Sequence, residues 1–108
     1  MIDKTLESWH QKQCNDLLRK LGIPFIHLEK GASNKARTHR ANIPDILFWK
    51  MGKAYAFELK AKGKKIKPDQ QAYLDILAAE GVVCGWGCEF TSFVDFLVKY
   101  GILVEDKK

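Results

Sequence analysis

The 108-residue chain predicts an α/β fold, a mixed sheet of about four strands flanked by helices, on three observations. Two runs rich in strand formers, "IPDILFW" and "AYAFELK", flank "KMGK", which has the length and the glycine of a hairpin turn. Residues 5 to about 21 repeat apolar side chains at three- and four-residue intervals, the mark of an amphipathic helix. Residues 54–86 run strand, helix, strand, the composition of a parallel βαβ crossover.

Each element has a local reason. Thr5 is a natural N-cap for the first helix, Leu6, Trp9, Cys14, Leu17, Leu18 and Leu21 supply its apolar stripe, and Gly22 ends it. Pro24 makes "IPFIHLE" a strand beginning or an edge. "KGASNKARTHRAN" has no periodicity and reads as a basic loop. In the second hairpin strand Tyr55, Phe57 and Leu59 point to one side, and Ala54, Ala56, Glu58 and Lys60 to the other, an exposed face with room beside its small residues. "AKGKKIKP" is a second basic loop. Pro68 suits the first turn of a helix to about Glu80, with Ala72, Tyr73, Leu74, Ile76 and Leu77 as its apolar positions and Gly81 as its end. "VVCGWG" is a further strand, and Thr91 or Ser92 can cap a last helix reaching Tyr100, with Phe93, Phe96 and Leu97 inward. No linker or repeat interrupts this order, so residues 1–108 are expected to form one domain.

Composition narrows the class. At 46% hydrophobic and 29% charged residues the chain can fold and is not biased toward disorder. No run is long enough to span a bilayer, and "MIDKTLESWHQKQ" lacks the apolar core of a signal peptide, so a cytoplasmic protein without a membrane partner is expected. Cys14, Cys84 and Cys88 have no second Cys or His pair at zinc-site spacing and read as reduced structural thiols. Trp9, Trp49 and Trp86 each lie in an apolar run and read as core or subunit contacts. His10, His27 and His39 share no useful spacing.

Charge is unevenly placed. Residues 30–67 hold eleven Lys and Arg against two acids, a segment of +9, whereas the rest, with seven bases and eleven acids, is −4. Such asymmetry is the footprint of a protein that meets phosphates. The two acids within the positive field, Asp45 and Glu58, fall on paired strands and can approach each other if the strands meet through the 50–53 turn. Neighbouring carboxylates repel unless a proton or a cation lies between them, and oxygen ligands select magnesium or manganese. Lys60 would then orient or activate the attacking water, or hold the scissile phosphate. A plain surface hairpin with a Glu58–Lys60 ion pair is the simpler alternative, and such a pair contributes only ~0–1 kcal/mol.

The order "IPD" at 43–45 and "ELK" at 58–60 resembles the PD-(D/E)XK nuclease superfamily, whose core is restriction-endonuclease-like and whose acids bind magnesium. "ESWHQKQCNDLLRKLGI", "IPDILF", "AFELKAKGKKIKPDQQAYLDILAAEGV" and "TSFVDFLVKYGIL" together resemble its VRR-NUC family, in particular the small stand-alone members of phage type. The resemblance implies that Asp45, Glu58 and the Leu59 carbonyl bind the metal, that Lys60 is the catalytic lysine, and that Glu7 approaches the metal or its waters from the first helix, followed by Gln11 one turn later. It implies a site glutamine at Gln70, with Gln71 as the neighbouring alternative. Asn42 stands where the family often has glycine, and asparagine tolerates the left-handed backbone such a turn needs. Arg37, Arg40, Lys62, Lys64 and Lys65 are expected along the DNA path as contacts that carry no sequence information. The function implied is a magnesium-dependent endodeoxyribonuclease, with manganese able to substitute and no nucleotide cofactor. A homodimer acting on branched DNA, as a Holliday junction resolvase does, is the finer expectation. A nickase or flap nuclease on simpler DNA, and a non-catalytic nucleic-acid-binding module, are the alternatives.

Overall fold

A computed structural model describes residues 7–28 and 43–104. Thr5, Leu6, Arg37, His39, Arg40 and Asn42 lie outside the described residues. The elements are α1 (Glu7–Lys20), β1 (Phe25–His27), β2 (Ile46–Lys50), β3 (Lys53–Leu59), α2 (Pro68–Ala79), β4 (Val83–Gly87) and α3 (Phe90–Lys99). The strands form one mixed sheet in the order β1-β2-β3-β4, antiparallel except for the β3–β4 pair, which is parallel with α2 as its crossover. Among the described residues no helix is long and apolar enough to cross a membrane.

The hairpin forms as the turn residues dictate. β2 ends at Lys50 and β3 begins at Lys53, leaving Met51 and Gly52, both at positive φ (52° and 78°), which is the two-residue turn whose twist matches the strands. Pairing Phe48 with Tyr55 and Ile46 with Phe57 sends these four side chains to one face, where α1 and α3 cover them. The Phe48 and Tyr55 rings stack at 4.9 Å, and Phe57 meets Phe93 and Phe96 of α3 at 5.1 and 5.2 Å. Such ring pairs contribute about 0.5–1.5 kcal/mol each beyond their burial. Cys14 and Leu18 of α1 complete this core.

β4 explains its own composition. Val83, Gly85 and Gly87 share the α3 face by their register with Tyr55, Phe57 and Leu59. A Cβ on Gly85 would lie 2.7 Å from the Phe96 ring, and one on Gly87 would collide with Ser92, so glycine lets α3 lie directly on the strand.

Four expectations need correction. The face carrying Ala56, Glu58 and Lys60 is buried, because α2 packs on that side of the sheet. The apolar residues of α2 do not form a buried stripe: Leu74 is buried, but Ala72 is exposed and Ile76 is 59% exposed. Of the two readings for Trp49 and Trp86, only the core one is overturned: each is 38% exposed and lies outside the core. The N-terminus of α3 is capped neither by Thr91 nor by Ser92, which lie inside its first turn; the Phe90 N–H donates instead to His10 Nδ1 of α1 at 2.9 Å. That bond gives the buried His10 a structural role and joins the two helices on the apolar face.

Gly85→Ala is expected to lower the unfolding free energy by about 1–3 kcal/mol, since Phe96 sits in a packed core and must shift. The urea midpoint of the variant against wild type is the measurement, and an unchanged midpoint would show that α3 can lift off the sheet without cost.

Candidate active site

Pro44 has no N–H to offer the sheet, and the β2–β3 ladder starts only at the Ile46–Phe57 pair. Asp45, at this break, is tied to β1 by Leu28 N–H donating to its carbonyl at 2.8 Å. Side chains replace the missing ladder bonds. Asp45 N–H donates to Glu58 Oε1 at 3.2 Å, and Leu59 N–H donates to Asp45 Oδ2 at 2.8 Å. Each carboxylate is thus held by main chain beside the other, with Asp45 2% and Glu58 1% exposed.

Lys60 follows on the same face as Glu58. Its N–H donates to Gly87 O at 2.8 Å, which anchors it to the end of β4, and its ammonium is 3.8 Å from Glu58 Oε2. Gln70 fills the space between them. Its Oε1 accepts from Lys60 Nζ at 3.0 Å and from Lys67 N–H at 3.1 Å, and its Nε2 donates to Glu58 Oε2 at 2.9 Å. One carboxamide therefore links the acid, the lysine and the first turn of α2, an arrangement that satisfies buried polar groups from both sides. Gln71 is exposed and donates to Asp75 at 2.9 Å. The structure thus brings together Asp45, Glu58, Leu59, Lys60 and Gln70, and leaves Gln71 outside.

A groove of about 690 Å³ opens on Asp45 and is lined by Glu7, Gln11, Asn15 and His27 among others. Glu7 faces this groove from the first turn of α1, and among the described residues no three His, Cys, Asp or Glu side chains are grouped to hold a metal ion. The donors that could take a hard cation are the two carboxylates and the Leu59 carbonyl, which shares its strand edge with the N–H bound to Asp45. Cys14 lies behind the site. Its thiol is pushed up to about 12, first by burial and second by the nearby Asp45 charge, so it is an unreactive filler. Lys62, Lys64 and Lys65 are exposed on the loop between Lys60 and α2, whereas Arg37 and Arg40 lie outside the described residues.

Asn15 and His27 are the site neighbours that sequence reasoning missed. Asn15 is buried on α1 and bonds His27 of β1. The four-residue step from Glu7 through Gln11 to Asn15 puts three polar residues on one helix face, and that spacing was the available signal.

A mixed sheet flanked by helices, with an acid at a strand break and an acid and a lysine at the end of the next strand, defines a restriction-endonuclease-like architecture. No family model matches the chain, and no curated protein does. A solved structure described as a VRR_NUC domain is similar to it, with a TM-score of 0.65 and 22% identity over 87% of this chain and 95% of that one. The chain therefore has the fold of a VRR_NUC domain.

Gln70→Ala removes a partner from both Glu58 and Lys60 and is expected to cost about 1–3 kcal/mol of stability. Gln71→Ala, at an exposed position, should stay within about 0.5 kcal/mol of wild type. Chemical unfolding of the two variants side by side decides it, and equal effects would remove Gln70 from its bridging role.

Proposed function

We propose that the chain is a VRR-NUC nuclease, a magnesium-dependent endonuclease that hydrolyses phosphodiester bonds in DNA. The observation that carries this reading is the buried cluster of Asp45, Glu58, Lys60 and Gln70, within the fold of a VRR_NUC domain.

The donor set fits the ion. Magnesium takes one or two carboxylates and keeps waters that a substrate phosphate can displace. Asp45 and Glu58 would be its protein ligands, with the Leu59 carbonyl beside them and Glu7 reaching from the groove through water. When bound, the ion supplies Lewis-acid stabilisation of charge on a phosphoryl oxygen and lowers the pKa of a bound water. The protein's own groups do the rest. Crossed main-chain bonds hold both acids at fixed separation before substrate arrives, so no reorganisation is needed. Gln70 holds the Lys60 ammonium by one of its three N–H donors, and the others serve the scissile phosphate or the attacking water. Lys62, Lys64 and Lys65 hold the flanking backbone.

The finer reading is a homodimer acting on branched DNA, with two sites related by a two-fold axis cutting symmetric bonds in a four-way junction. It draws on the family resemblance. Trp86 and Tyr100, both partly exposed along the groove between α2 and the edge strand β4, supply apolar surface suited to a second copy.

Cleavage of labelled linear, flap and four-way DNA with magnesium, manganese or EDTA tests the proposal: cleavage dependent on the metal is expected, and four-way DNA should be the preferred substrate. Glu58→Gln and Lys60→Ala should each slow cleavage by about 10²–10³-fold, as for loss of a group that stabilises developing charge. Their DNA binding should change little, because the loops supply it. Equal loss of binding and cleavage would overturn the assigned roles.

Charge reversal at Lys64 and Lys65 should weaken binding to all sequences and flatten the plot of log K against log salt by about 0.9 for each phosphate that the variant leaves unneutralised. Titrations at several salt concentrations measure the slope, and an unchanged slope would put these lysines off the DNA path.

A further inference from the structure

The turn of the β2–β3 hairpin breaks three local rules at once. Met51 holds the left-handed backbone at φ 52°, where asparagine or glycine is the ordinary choice in a turn of this kind. Its side chain is 91% exposed, so no burial offsets that conformation. Lys50 and Lys53 close the turn as a directly opposed pair, both exposed, which sets like charges side by side. Among the described residues neither lysine has an acidic partner. A single exposed apolar side chain is ordinary, but strain, exposure and like-charge opposition at one tip each weaken the hairpin, and Met51 returns no packing to the fold.

We infer that this tip is a second DNA contact, with Lys50 and Lys53 on backbone phosphates and the Met51 thioether against the face of an unstacked base. This inference rests on the nuclease reading above. Two ammonium groups flanking an apolar side chain match the chemistry of a nucleic acid, whose phosphates take the cations and whose bases take the apolar group. Methionine suits an exposed base, because it is unbranched and its polarisable sulfur packs on aromatic rings. Both lysines belong to the +9 segment of residues 30–67, and neither lies on the loop between Lys60 and α2. The five residues of β2 carry the chain from Asp45 to Lys50, about 17 Å at the rise of an extended strand. That is about five steps at the ~3.4 Å spacing of nucleotides along a DNA strand, so the tip meets nucleotides other than those at the scissile bond. A continuous duplex must first be unstacked to receive such a side chain, whereas a branch point or a single-stranded arm offers bases at less cost.

The test uses the full chain, with binding to labelled four-way, flap and linear duplex DNA measured in EDTA and urea unfolding of the same proteins. Met51→Asn puts the preferred residue at the turn, so its urea midpoint should rise. Its binding to four-way and flap DNA should fall by about fivefold, the scale of one sulfur–ring contact, with binding to linear duplex unchanged. A purely structural role would move stability and affinity in the same direction. Lys50→Gln combined with Lys53→Gln relieves the repulsion and should also raise the midpoint. It should nonetheless weaken binding to all three DNAs and flatten the plot of log K against log salt by about 0.9 for each phosphate released. Unchanged binding of Met51→Asn to four-way and flap DNA would overturn the base contact, as would an equal loss on linear duplex. An unchanged salt slope in the lysine variant would overturn the phosphate contacts, and a lowered midpoint in Met51→Asn would remove the strain on which the inference stands. Wild-type protein that does not bind DNA would overturn the nuclease reading and this inference with it, whereas wild-type binding with both variants unmoved overturns the inference alone.

Discussion

Two hydrogen bonds, from Asp45 N–H to Glu58 Oε1 and from Leu59 N–H to Asp45 Oδ2, tie β2 to β3 where the ladder between them has ended. Most of the site follows from that exchange. Pro44 cannot donate, so regular pairing stops, and the two carboxylates take over the role of ladder acceptors. The same bonds force two acids into close company away from water. A surface hairpin would gain nothing from such an arrangement; here each carboxylate accepts from a main-chain donor instead of from water.

The two faces of the sheet divide the labour. One is aromatic and closed: α3 lies on Gly85 and Gly87, Phe57 is wedged among Phe93 and Phe96, and His10 fastens α1 to the start of α3. This face is where the stability resides. The other carries Glu58 and Lys60 under α2, which contributes Leu74 for packing and Gln70 for polar contact. Rigidity on the first face lets the second hold charged groups in place without a large apolar layer of its own.

α1 serves both purposes from one helix. Cys14 and Leu18 enter the core, while Gln11 and Asn15, on the adjoining stripe, line the groove beside Asp45. The Cys14 thiol is raised by burial and by the Asp45 charge together, a measure of how close the apolar core comes to the acids. The α1 groove opens on Asp45, and the exposed Lys62, Lys64 and Lys65 stand on the loop between Lys60 and α2.

Much of this was legible in the sequence because it is local. The hairpin needs only its turn residues, α2 its Pro68 and Gly81, and the order of Asp45, Glu58 and Lys60 needs only the alternation of a strand. Alternation reports which side chains share a face, but not what covers that face. The burial of Glu58 and Lys60 was therefore decided by α2, and so was the choice of Gln70 over Gln71, which turns on which residue of the first helical turn looks inward. The histidines show the same limit. His10 meets Phe90 across 80 residues and His27 meets Asn15 across 12, and no spacing within one element encodes either pairing. The sequence by itself determined the elements and the order of Asp45, Glu58 and Lys60 along them; packing between distant elements decided which side chains meet, because burial and hydrogen bonding across elements depend on neighbours that local pattern does not name.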